Sequence, residues 1–122
     1  MKHVDTIVLV EDICRSKAFY VDILGLEILH DWETMVIFRE RFSIHQADRL
    51  LPKQEATRFY QSGKQGRGNA IVYFEVDDLQ TTYADMQAKG VEIIHGIVQL
   101  PQQKIFRMAD PDGHIIEIGE PF

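Results

Sequence analysis

The chain carries the same half-domain twice. Residues 4–28 read V-D-T-I-V-L-V-E-D-I-C-R-S-K-A-F-Y-V-D-I-L-G-L-E-I, and residues 70–93 read A-I-V-Y-F-E-V-D-D-L-Q-T-T-Y-A-D-M-Q-A-K-G-V-E-I. Setting Asp12 on Asp78 pairs Val10 with Val76, Ile13 with Leu79 and Ser16 with Thr82. Gly25 then falls one residue off Gly90, so a single-residue length change closes the match. A repeat of this length constrains the fold more than any local propensity, because each copy must build the same supersecondary unit. Two copies are too few to stack as a solenoid. They imply two equivalent modules related by a pseudo-twofold axis, with a pocket where equivalent positions meet.

Each copy has the same order of elements. Residues 4–10 form a β-rich run, and 14–24 place Ala18, Phe19, Val21, Ile23 and Leu24 at near-helical spacing before Gly25. Asp12 is the expected N-cap, its short side chain accepting from free N–H groups of the first turn. Strands follow at 26–30, 35–39 and 42–46, with Glu40-Arg41 as the last turn. The second copy predicts a strand over 70–76, a helix over 78–89 ending at Gly90, and strands at 91–95, 104–108 and 114–119. Asp110-Pro111-Asp112-Gly113 is a tight-turn sequence, since Pro fixes φ and Gly accepts positive φ. The class is α+β: two βαβββ modules, curved mixed sheets around a cleft with helices outside. Module one spans about 1–47 and module two about 70–122. The polar loop of about 47–69 holds Pro52, Gly63, Gly66 and Gly68, with Lys64 and Arg67 making it locally basic. Thr6, Val8 and Val10 should pack under the first helix, and Val72, Phe74 and Val76 under the second. Asp5, Ile7, Ile71 and Tyr73 should face the cleft.

A length of 122 residues fits one domain with a real core, and a net charge of −6 argues against nucleic-acid or membrane surfaces as partners. No apolar run approaches the roughly 20 residues that span a bilayer. No basic N-terminal region leads into an apolar stretch, so a cytoplasmic protein is expected. The lone Cys14 cannot form an intrachain disulfide.

The segment V-E-D-I-C-R-S-K-A-F-Y-V-D-I-L-G-L, the V-D-D-L opening the second helix and D-P-D-G-H-I-I-E near the end resemble the vicinal oxygen chelate superfamily. That group includes glyoxalase I, extradiol dioxygenases, fosfomycin-resistance enzymes, methylmalonyl-CoA epimerase and bleomycin-binding proteins. The resemblance covers essentially the whole chain and implies a fold rather than one activity. In metal-using members each half supplies one ligand from its first strand, usually His, and one from its last strand, usually Glu. Carried over, the resemblance implies Asp5 and Ile71, each seven residues before a helix-heading Asp, together with Glu117 and Ser43. A slip of two residues selects His45 instead of Ser43.

Ile71 cannot ligate, and Ser43 is a poor ligand for a divalent ion. Two carboxylates make a thin set for zinc, nickel or iron. The residues therefore favour no tightly held cofactor. The alternative divalent-metal set is Asp5, His45 and Glu117, with His3 sharing a strand face with Asp5. The expected ligand-binding residues are Asp5, Ile7, Ser43, His45, Ile71 and Tyr73. Glu117 is the catalytic candidate, a carboxylate in an apolar pocket being a plausible general base; a structural carboxylate is the competing reading.

Trp32 and Met35 could stack on a ligand, but residues of their type at such positions are more often core. Arg107, on the seventh strand, could face an anionic ligand group but reads rather as a surface salt bridge, His95 and His114 as surface residues beside turns, and Cys14 as a buried structural thiol rather than a nucleophile. The expected function is that of a glyoxalase/bleomycin-resistance-like protein of unassigned activity, binding a small, partly apolar molecule as a homodimer. The alternative is a metal-dependent lyase, isomerase or dioxygenase with Glu117 as ligand or general base.

Overall fold

The computed structural model describes residues 1–56, 63 and 65–122, which divide into two compact units, Met1–Gln65 and Gly66–Phe122. The first unit runs β1 (Thr6–Val10), α1 (Ile13–Ala18) continued by a π-helical turn (Phe19–Ile23), β2 (Ile28–Asp31), β3 (Met35–Phe38) and β4 (Phe42–Gln46). Its sheet has the order β1-β4-β3-β2, with β1 parallel to β4 and the other pairs antiparallel.

Asp12 caps α1 as its residue type predicts: it is extended at φ −131°, and its Oδ1 accepts the Arg15 N–H at 3.1 Å. The π-helical turn holds more residues than an α turn would, with the Leu24 N–H bonded to the Phe19 carbonyl. This is where the first copy stores the residue by which the two copies differ in length. Both helices still end alike, Gly25 and Gly90 taking φ of +74° and +72° at the exit, a conformation that a side chain would strain.

The covered face of the first sheet carries Val10, Val36, Phe38, Phe42 and Ile44, all buried, under Ile13, Phe19 and Tyr20. Tyr20 packs its ring at 5.0 Å from Phe42 and 5.9 Å from Phe38. Burying each such side chain contributes about 1.5–3 kcal/mol of transfer free energy. Gln46 ties helix to sheet, its Oε1 accepting the Ile13 N–H at 3.2 Å. Val8 is half-buried, but Thr6 is exposed, contrary to expectation. It stands at the start of β1 and bonds His3 instead, Oγ1 to Nε2, at 3.1 Å.

After β4 the expected loop contains a 3₁₀ turn (Ala47–Arg49) and a short helix α2 (Lys53–Ala56). Residues 57–62 and Lys64, also part of that loop expectation, lie outside the described residues.

The second unit repeats the topology with β5 (Ile71–Glu75), α3 (Leu79–Ala88), β6 (Glu92–Gln99), β7 (Lys104–Ala109) and β8 (Ile115–Gly119), in the order β5-β8-β7-β6. Asp78 caps α3 through Oδ1 to the Thr81 N–H at 3.0 Å and Oδ2 to the Thr81 hydroxyl at 2.8 Å. The α3 helix packs on β6 and β7, with Tyr83 edge-on to Phe106 at 5.1 Å. Along β5 and just beyond, Val72, Phe74 and Val76 are half-buried while Ile71, Tyr73 and Glu75 are exposed, the alternation a half-covered strand requires. β6 extends past His95 to Gln99, so His95 lies within a strand rather than beside a turn. Among the described residues, no helix is long and apolar enough to cross a membrane.

Candidate functional site

Strand register lays a row of four residues across the open face of each sheet. In the first unit the row is His30, Ile37, Ser43 and Ile7; in the second it is His95, Arg107, Glu117 and Tyr73. Ile7 and Tyr73 occupy the same place in their rows, as do Ser43 and Glu117. The chemistry of the two rows differs.

In the first unit Asp5 reaches Ser43. Its Oδ2 accepts a short hydrogen bond from the Ser43 hydroxyl, and its Oδ1 accepts the Thr6 N–H at 2.9 Å. His45 lies two residues further along β4, opposite Leu9, and its Nδ1 bonds the Gln46 carbonyl at 2.9 Å. Asp5 is thus brought to Ser43 and not to His45. Beside them lies a hollow of about 400 Å³, lined by Val4, Asp5, Ile7, Leu29, Met35 and Ile37 among others, with the cations Lys2, Arg39 and Arg41 also on its wall. Trp32 stands outside that lining, exposed and stacked on His30 at 5.2 Å.

The second row is charged. Arg107 sends Nε and Nη2 to Oε2 of Glu117, each at 2.8 Å, and its Nη1 lies 3.3 Å from His95 Nε2. His95 Nδ1 sits 2.8 Å from the Gly96 carbonyl, which can only accept. The bonding therefore assigns the proton to Nδ1 and leaves Nε2 to accept from Arg107. Tyr73 stands next in the row, its hydroxyl 3.0 Å from Gln103 Nε2.

Several expectations change here. Arg107 does form a salt bridge, but a partly buried one: its side chain is 32% exposed, its partner Glu117 only 16%, and the pair belongs to the row. His95 supports that arginine. His114 is half-buried against Asp110, Nδ1 to Oδ2, at 2.8 Å. Cys14 is exposed, because Ile13 and Ser16 are the residues of that turn facing the sheet.

The donor set does not fit the divalent ion implied by the superfamily. Ile71 offers no donor, Asp5 holds the Ser43 hydroxyl, and Glu117 already faces the fixed cation of Arg107. Among the described residues another group, Asp110, Asp112 and His114, brings three ligand atoms within 4.8 Å. Its bonding is that of the D-P-D-G-H turn: Asp110 Oδ1 accepts the N–H groups of Asp112 and His114, and Oδ2 meets the His114 ring. That arrangement explains the turn and points to no ion.

A family model for the glyoxalase-like domain matches residues 3–122. The chain belongs to the glyoxalase-like domain family. This places it in the vicinal oxygen chelate superfamily. A solved protein of unknown function from Agrobacterium tumefaciens str. C58 is 40% identical over all of this chain and 95% of its own length, with a TM-score of 0.88. Lactoylglutathione lyase from Agrobacterium tumefaciens shares the fold at 21% identity and a TM-score of 0.73, over 98% of this chain and 92% of its own. TnmS3, an antibiotic binding protein from Streptomyces sp. CB03234, does so at 24% identity and 0.71, over 100% and 98%. No curated protein matches the sequence. A fold shared by a lyase and a binding protein leaves the activity of this glyoxalase-like chain unassigned.

Gln103 is the member of the site that residue patterns did not single out, and Arg107 and His95 were read without their pairing to Glu117 and to each other. The signal for Arg107 was present: a tight turn centred on Asp112 sets the hairpin register and puts residue 107 opposite residue 117.

Proposed function

We propose that this glyoxalase-like protein binds a small, partly apolar molecule on its open sheet faces without a tightly held metal. One observation carries this: Glu117, the last-strand carboxylate, is held by Arg107, a cation that opposes a second cation beside it. The apolar hollow of the first unit supplies burial for a ligand, and a binding protein among the fold neighbours is consistent with that role. Elemental analysis of the purified protein should find substoichiometric transition metal. A full equivalent lost in Glu117→Ala would overturn the metal-free reading. Thermal-shift screening with and without chelator should find ligands whose stabilisation ignores the chelator; ligands that stabilise only with added metal count against it.

Glu117 also favours a second reading. Its Oε1 takes no bond from any described residue, so the carboxylate retains an oxygen able to accept a proton. Turnover of a thiohemiacetal, lost in Glu117→Gln, would establish this as a lyase-type activity. We further propose that the protein is cytoplasmic and forms a homodimer, the dimer supported by the exposed apolar residues Ile94 and Val98 on the edge strand β6. Light scattering that returns a monomer at tens of micromolar, an ordinary range for weak dimers at roughly 7 kcal/mol, would remove the dimer.

A further inference from the structure

Tyr73 is oriented by a buried side chain. Gln103 is only 7% exposed, and its Nε2 lies 2.9 Å from the Glu120 carbonyl and 3.0 Å from the Tyr73 hydroxyl. A carbonyl only accepts, so the amide nitrogen must be the atom facing Glu120, and its second N–H points at Tyr73. An amide nitrogen only donates, so the Tyr73 oxygen is the acceptor there and its own proton is left to donate elsewhere. Gly119 permits this packing: a Cβ on it would lie 2.4 Å from Gln103 Nε2 and 3.0 Å from the Tyr73 hydroxyl.

The rest of the row is oriented in the same way. Arg107 engages Oε2 of Glu117 and leaves Oε1 as an acceptor without a described partner. After its bonds to Glu117 and His95, one N–H on each of Nη1 and Nη2 remains on Arg107. The open face of the second unit therefore presents a donor, an acceptor and a donor on neighbouring strands: Tyr73 O–H, Glu117 Oε1 and Arg107 N–H. Neighbouring strands lie about 4.8 Å apart. The opposite charges of Arg107 and Glu117 offset each other, so this face selects a hydrogen-bonding pattern more than a net charge.

Resting on the binding function proposed above, we infer that the second unit's open face takes a hydroxy-carbonyl compound. The ligand's hydroxyl donates to Glu117 Oε1. A carbonyl or carboxylate oxygen, about one strand spacing away, accepts from Tyr73, which stands opposite Glu117 on the neighbouring strand. The exposed Ile71 on the same face offers an apolar surface to the ligand's carbon frame.

The test uses the full chain and three probes: 3-hydroxybenzoate, benzoate and phenol, titrated by NMR with the Tyr73 ring and Arg107 Nε resonances followed. 3-Hydroxybenzoate should bind about tenfold more tightly than either single-group probe and shift both resonances. Tyr73→Phe, which keeps the ring and removes the donor, should weaken 3-hydroxybenzoate and benzoate by about five- to tenfold and leave phenol unchanged. Its melting temperature should fall by a few degrees, since the buried Gln103 amide loses one acceptor, and Gln103→Leu, which keeps the Tyr73 hydroxyl, should retain the discrimination between the probes. Equal affinity for the three probes, or unchanged discrimination in Tyr73→Phe, overturns the hydroxy-carbonyl assignment and leaves the binding function standing. Failure of all three to bind saturably at this face overturns the assignment together with its premise for the second unit.

Discussion

The two units share a backbone and differ in what they show to solvent. Under the helices both bury aliphatic and aromatic side chains: Val10, Val36, Phe38 and Ile44 in one, Phe106, Met108, Ile116 and Ile118 in the other. On the open faces, His30-Ile37-Ser43-Ile7 stands where the other unit has His95-Arg107-Glu117-Tyr73. The covered faces meet the same packing demand and are interchangeable in kind. The open faces carry no such demand, and there an apolar wall with one anchored carboxylate contrasts with a charged, hydrogen-bonded row.

If the covered faces are equivalent, Phe38→Ala and Phe106→Ala should each cost about 3–5 kcal/mol in denaturant unfolding, because both leave a cavity at a fully buried ring. A cost confined to one of them would break the equivalence. The open faces should separate more sharply. Arg107→Ala leaves the half-buried Glu117 without its partner and should cost about 1–2 kcal/mol. Arg39→Ala breaks the exposed pair with Glu27, where both side chains are about 60% exposed, and should leave the unfolding midpoint within error. Equal effects would refute the idea that only the second unit has a built polar row. Gly119→Ala should displace the Gln103 amide and cost about 1 kcal/mol, with loss of the Tyr73-dependent probe discrimination.

The smallest effect concerns the cap of the second helix. The Thr81 N–H and hydroxyl hold the Asp78 carboxyl below its ordinary value of 3.8. A depressed folded value means that the stabilisation is present above the unfolded pKa and is lost as pH falls through the folded one. Asp78→Ala should therefore lower the melting temperature at neutral pH, and the gap to the parent should close on acidification below pH about 4. A gap that persists unchanged at pH 2 would show that the cap acts without its charge.

Much of this fold was legible because its signals are local. Asp12 and Asp78 cap helices, β4 begins and ends at Phe42 and Gln46, and the Asp110–Gly113 turn forms, each dictated by residues within a turn or strand of one another. β6 was harder to read to its end. Its register shifts on both sides of His95, so the period of two that marks a strand is interrupted there, and the residue resembles a strand terminus. Cys14 depended on which side of α1 faces the sheet, a question that the π-helical continuation complicates. The expected acidic site residues, Asp5 and Glu117, do lie on open faces, but their partners Ser43 and Arg107 follow from strand pairing. Gln103 reaches Tyr73 from a turn, and no periodicity reports a contact of that kind.

The π-helical turn at Phe19–Ile23 has a consequence for the rest of its unit. In a regular helix one added residue rotates the exit by about 100°, which would swing Leu26 out of the core and twist the following hairpin away from β1. A local widening takes up the residue with far less rotation. Leu26 accordingly stays buried, its N–H bonded to the Tyr20 carbonyl at 2.9 Å, and Ser43 still arrives opposite Ile7 and within reach of Asp5. The helix thereby acts as a length buffer, preserving the angular phase of everything downstream while the chain inside it grows by one residue.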